Sequence, residues 1–217
     1  NQKEDRYLIH NQTASTSRIS PESTYKIYSG LAALEAGKIT AKDSYQEWDK
    51  TRYSFSEWNR DQNLDSAMKN SVNWYFQALD KKNGAKELQT FYDRIRYGNC
   101  DLSGGLSTYW MSSLKISPLE QVMLLTNFYE NQWEFNSASV SAVKDALLLS
   151  EENGVRLSGK TGTGMKDGQI RNGWFIGYVE TAEGLSVFAL NLQGRENASG
   201  SKAAEITLQI LRDKNLL

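Results

Sequence analysis

The strongest constraint on the fold is a change of hydrophobic period near residue 150. Before it, "LDSAMKNSVNWYFQALDKK", "AKELQTFYDRIRYG" and "SPLEQVMLLTNFYE" each repeat apolar residues at helical spacing. After "EENG" the period shortens. "VRLSGKTGTG" (155 to 164), "NGWFIGYVET" (172 to 181) and "LSVFALNLQG" (185 to 194) read as three strands, with Asp167-Gly168 and Glu183-Gly184 as their turns. A helix from about 201, "SKAAEITLQILRDK", closes the chain. At the other end "RYLIH" (6 to 10) alternates weakly, as a short strand would, and "ISPESTYKIYSGLAALEAGK" reads as a helix. There Ser20 is the expected N-cap, Pro21 the first helical residue and Gly37 the stop.

This pattern predicts one α/β (α+β) domain over residues 1 to 217. An antiparallel sheet flanked by helices comes from about 1 to 40 and 150 to 217, and a mainly helical part from about 41 to 149. A cleft between the two parts is where a ligand is expected. The length suits one sizeable core. The net charge of -1 gives no footprint for nucleic acid or an anionic membrane surface. No apolar run approaches the ~18 residues that a membrane span needs. The abrupt start at "NQKEDRYLIHN" leads to the expectation that the chain is part of something longer, with the leading strands of the domain missing.

One cysteine, Cys100, excludes an internal disulfide and a cysteine-cluster metal site. One histidine, His10, excludes a histidine zinc site and a Ser-His-Asp triad, so no metal is expected. Any serine nucleophile must therefore be activated without imidazole. Ser23 and Lys26 are three apart near a helix start, hence on one face, and the lysine side chain leans back toward the serine. A lysine serves as base only when burial lowers its pKa or when it is modified. "NSVNWYF" places Ser71 and Asn73 two apart, able to present a hydroxyl and an amide to one cavity. "GKTGTG" puts Lys160, Thr161 and Thr163 on a strand in which Gly162 allows close backbone approach. Each piece alone also reads as ordinary surface chemistry.

Together, and in this order, Ser-x-x-Lys, Ser-x-Asn and Lys-Thr-Gly resemble the motif set of the serine penicillin-recognising proteins, over essentially the whole chain. Tyr97-Gly98-Asn99, Tyr109-Trp110 followed by "SSLKIS", and "GWFIGYVE" resemble class D β-lactamases in particular. Asn73 departs from the Ser-x-Val of those enzymes. With that departure the chain is most similar to the extracellular penicillin-sensor domain of BlaR/MecR-type membrane receptors.

The resemblance implies the chemistry. Ser23 attacks a β-lactam carbonyl and becomes covalently acylated, Lys26 takes its proton, and Ser71 relays a proton to the leaving nitrogen. Lys160 supplies positive potential, Thr161 and Thr163 bind the ligand carboxylate, and the Ser23 and Thr163 N–H groups form the oxyanion hole. Trp110 is expected beside Lys26, steadying a carbamate. No cofactor is implied beyond carbon dioxide, as N-carboxylation of Lys26. Asn73 would favour loss of that carbamate after acylation, so the acyl-protein persists and signals. Lys202 is the candidate to replace a carboxylate-binding arginine. The implied partners are β-lactam antibiotics, with no nucleic acid and with membrane contact only through receptor segments outside this chain. The domain is expected to be monomeric, on the extracellular face of the cell membrane. The alternatives are a class D serine β-lactamase and a cell-wall transpeptidase or carboxypeptidase.

Overall fold

The computed structural model describes residues 6–194 and 197–217. Four antiparallel strands form one sheet in sequence order: β1 (Leu148–Glu152), β2 (Val155–Lys166), β3 (Gln169–Thr181) and β4 (Gly184–Gln193). Eight helices accompany it among the described residues: α1 (Gln12–Thr16), α2 (Lys26–Glu35), α3 (Leu64–Lys69), α4 (Asn73–Asn83), α5 (Ala85–Ile95), α6 (Pro118–Tyr129), α7 (Ser137–Leu147) and α8 (Gly200–Asp213). None is long and apolar enough to cross a membrane. The α+β architecture expected from the change of period is present.

Strand β3 explains how the layers meet. Its residues 173 to 179 are all buried, because both faces are covered. Trp174, Ile176 and Tyr178 face the main core, which also holds Tyr25, Tyr28 and Leu31, from the 3-10 helix before α2 and from α2 itself, and Phe76 of α4. Val179, on the other face, packs with Leu157 and with Leu211 of α8. Helix α2 is buried on nearly every side, against α4 and α7, which accounts for its all-round apolar sequence. One apolar cluster thus runs from the helices into the sheet.

Three local expectations are corrected. Residues 6–10 form no strand: Tyr7, Leu8 and Ile9 are exposed with no ladder partner, and the first element is α1. The sheet has a fourth strand, β1, joined to β2 through Asn153-Gly154, both with positive φ as a tight hairpin requires. Ser20 does not cap a helix. Its hydroxyl accepts a bond from Lys115 Nζ at 2.7 Å, and a 3-10 helix (Glu22–Tyr25) precedes α2.

Strand β3 must also meet the start of α8. A Cβ at Gly173 would fall 2.3 Å from the carbonyl oxygen of Ser199, the residue that caps α8. Backbone cannot yield as a side-chain tip can. Gly173→Ala is therefore expected to destabilise the fold by about 1–3 kcal/mol, read as a lower thermal midpoint.

Candidate active site

The site is built where β2 runs past β1. Beyond Ser158 the strand has β3 on one side and, among the described residues, no strand on the other, so its edge receives the 3-10 helix that carries Ser23. Gly162 makes the approach possible: a Cβ there would lie 3.1 Å from Pro21 O and from Ser23 N. The turn before Ser23 is tied to the sheet. Ser20 O accepts from Trp174 Nε1 at 2.8 Å and from Asn172 Nδ2 at 3.0 Å. Glu22, at φ 50°, stores local strain directly before Ser23, and its Oε1 accepts from Asn172 Nδ2 at 3.1 Å. Burial raises the Glu22 pKa to about 7, against the Asn172 bond and the charges of Lys115 and Lys26.

Ser23, Lys26 and Asn73 meet. Lys26 Nζ donates to Ser23 Oγ at 2.7 Å and to Asn73 Oδ1 at 2.6 Å. The ammonium lies 5.2 Å from the centre of the Tyr25 ring and 5.8 Å from that of Phe76, and the residue is 0% exposed. Burial lowers its pKa well below the usual lysine value, and the charge of Lys160 lowers it further, while Asp80 and Glu22 oppose both. Such a lysine can be neutral in the working range, the condition for acting as a base and for adding carbon dioxide. Asn73 is the first residue of α4; Val72 occupies the cap position, and the Asn73 amide is turned inward to Lys26.

Lys160 reaches Ser71. Its Nζ donates to Ser71 Oγ and, at 2.9 Å, to Thr161 O. Ser71 takes a left-handed φ of 52° just before α4, which helps aim the hydroxyl toward β2. Burial lowers the Lys160 pKa from 10.5 to about 7. Between about 7 and 10.5 the unfolded chain holds this proton more tightly than the folded one, so stability rises with pH across that window. Urea denaturation from pH 7 to 10 is expected to show the rise, by up to ~1.4 kcal/mol per pH unit for one proton. Lys160→Met should be more stable at pH 7 and have a flatter profile.

Strand alternation puts Thr161 and Thr163 on the other face of β2, against the start of α8. Gly200 N donates to Thr163 Oγ1 at 2.8 Å, and a Cβ on Gly200 would lie 3.0 Å from Thr161 Cβ. Lys202 pairs with Glu205 at 2.6 Å on the exposed side of α8. Trp110 is buried and stacks flat on Tyr25, with centroids 4.5 Å apart, so it reaches Lys26 through that ring. Tyr97-Gly98-Asn99 holds the Trp110 loop in place. Asn99 N donates to Lys115 O at 3.0 Å, Asn99 Nδ2 donates to Ser113 O at 2.9 Å, and Asn99 Oδ1 accepts from Lys115 N at 2.8 Å. Gly98 passes so close that a Cβ would lie 1.9 Å from Lys115 O.

Sequence reasoning missed Glu22, Asn172 and Asp80. Asp80 was legible in principle, being seven residues after Asn73 and therefore on the same face of α4.

Comparison with known proteins gives the same grouping. Residues 1–212 match the penicillin binding protein transpeptidase domain. Regulatory protein BlaR1 of Bacillus licheniformis is 49% identical over 217 residues, all of this chain and 36% of that protein, so the chain spans about a third of that relative's length. The probable beta-lactamase YbxI of Bacillus subtilis is 35% identical over 216 residues, 99% of this chain and 79% of that protein. Among solved structures, the C-terminal domain of the Bacillus licheniformis BlaR penicillin-receptor superposes with a TM-score of 0.92 at 50% identity, covering 95% of this chain and 84% of that one. The edge-strand lysine, the buried Ser-x-x-Lys pair and this likeness in sequence and fold have one reading: the chain belongs to the penicillin-binding protein transpeptidase domain family.

Proposed function

We propose that this chain is a β-lactam sensor, acylated at Ser23 and slow to release the acyl group. The observation that carries the reading is the Asn73 Oδ1 to Lys26 Nζ bond of 2.6 Å. An amide oxygen can only accept, so it stabilises a Lys26 that still holds its protons and works against one free to activate water.

In the forward step neutral Lys26 takes the Ser23 proton along their 2.7 Å contact. Ser23 Oγ bonds to the lactam carbonyl carbon. The C–N bond then breaks, and Ser71 passes its hydroxyl proton to the ring nitrogen, regaining one from Lys160, whose ammonium is bonded to it. Lys160, against Ser71, lowers the cost of the negative charge that develops there. The N–H groups of Ser23 and Thr163 hold the oxyanion, worth roughly 3 kcal/mol per donor. On the α8 side of β2, the Thr161 and Thr163 hydroxyls would bind the ligand carboxylate. A carbamate on Lys26 would supply a base that stays unprotonated at neutral pH, and the buried, ring-lined pocket with a depressed lysine pKa fits one. Its neighbours would be Asn73, Ser23 and the stacked Tyr25–Trp110 pair.

After acylation Lys26, held by Asn73, leaves water unactivated and the adduct persists. The signal passes to receptor segments outside this chain, with the domain monomeric on the extracellular side of the membrane. The second reading is a class D β-lactamase, favoured by the likeness to YbxI. A coloured cephalosporin separates the two. One equivalent of colour followed by silence is the expected course, and sustained hydrolysis at enzyme rates overturns the sensor reading.

A further inference from the structure

Helices α2 and α4 pack side by side, and their facing residues form two rungs. The first is Lys26 against Asn73. The second is Ser29 against Asp80, with Ser29 Oγ donating to Asp80 Oδ1 at 2.6 Å. Ser29 is one helical turn from Lys26, roughly 5 Å along the axis. Asp80 Oδ2 accepts from Tyr109 OH at 3.0 Å, and Tyr109 OH lies 3.1 Å from Tyr92 OH. Asp80 is 0% exposed, and no ion pair among the described residues includes it.

A buried carboxylate is expensive unless something compensates its charge. Here each oxygen accepts a hydroxyl proton, the arrangement an ionised group requires. Ser29 of α2 and Tyr109 of the Trp110 segment bond to it, with Tyr92 of α5 behind Tyr109, and Lys26 of α2 and Tyr25 of the 3-10 helix feel its charge. Among these only Lys26 is a cation, and the two charges raise and lower each other's pKa as opposite charges do. The acylation chemistry uses no atom of Asp80.

We propose that Asp80 is a positioning residue that holds Lys26 in its ammonium form, and so sets how long the acyl group stays. This rests on the sensor reading above. As a carboxylate, Asp80 favours the Lys26 ammonium over the neutral amine, and disfavours a carbamate by placing like charge one turn away. Removing it makes more neutral Lys26 at a given pH, hence more base in the acylated protein. Asp80 and Lys26 titrate as a pair: burial lifts Asp80 to about 7, so each change of its charge is felt by the lysine.

The test is Asp80→Asn, which keeps size and an oxygen for one of the two hydroxyls. The rate of penicillin acylation, followed by intact mass, rises with pH as Lys26 loses its proton, and the midpoint of that rise is expected to move down by about one unit, because a tenfold change in neutral lysine is one pKa unit. At pH 7 the adduct lifetime should shorten about tenfold. With bicarbonate, a carbon-13 carbamate signal on Lys26 should fill at lower pH than in the unaltered protein. A folded Asp80→Asn protein whose midpoint does not move overturns the proposal. If Asp80→Asn does not fold, Tyr109→Phe, which removes one donor to the carboxylate, must move the midpoint the same way, and no movement there overturns it equally. An unaltered protein that forms no adduct would overturn the sensor reading itself, a result distinct from either of these.

Discussion

Ser23→Ala is expected to form no covalent adduct with benzylpenicillin at any time of incubation, while the unaltered chain gains one penicillin mass. The effect should be complete, because Ser23 is the hydroxyl bonded to the buried Lys26, and the other motif serine, Ser71, is bonded to Lys160 instead. Folding should be almost unaffected, since the Ser23 hydroxyl lies at the site and outside the apolar core. Intact mass measures the adduct and a thermal melt confirms the fold. An adduct on Ser23→Ala would mean that another nucleophile carries the chemistry.

Lys26→Met should lower the acylation rate by about 10²–10⁴, the usual loss when a positioned general base is removed. Methionine fills similar space beside Tyr25 and Phe76 without a charge, so this variant should be at least as stable as the unaltered chain. That combination separates a lost base from a collapsed pocket. The second-order rate constant for acylation, taken at several penicillin concentrations, is the readout. A rate within threefold of the unaltered chain would remove Lys26 from the proton path.

The parts of this design that sequence exposes are those written at short range. Ser23 and Lys26 share a helix face by spacing alone, and the helix carries them into contact. The antiparallel order of β2, β3 and β4 follows from period and turn residues. Ser71 and Lys160 are 89 positions apart, and their contact was expected only because the motifs resemble a known set. Where the reading failed, a local signal was overridden or overlooked. Residues 6–10 alternate, but among the described residues no neighbouring strand offers them an edge. Asn153-Gly154 announced a hairpin whose first strand, β1, is too short and too polar to stand out. Ser20 has the right chemistry for a cap, yet Lys115, 95 positions away, claims its hydroxyl. Glu22 and Asn172 were hidden for the same reason, because their partnership exists only once the sheet edge meets the turn before Ser23.

Under the proposed function, both the three-motif site and the Asn73–Lys26 bond bear on one quantity, the time for which Ser23 would keep an acyl group. Intact mass of the penicillin-treated chain, after removal of free antibiotic at pH 7, follows that time directly. The adduct at Ser23 is expected to survive for hours, decaying far more slowly than it forms. Return of the unmodified mass within seconds would contradict the sensor account and make the chain a β-lactamase.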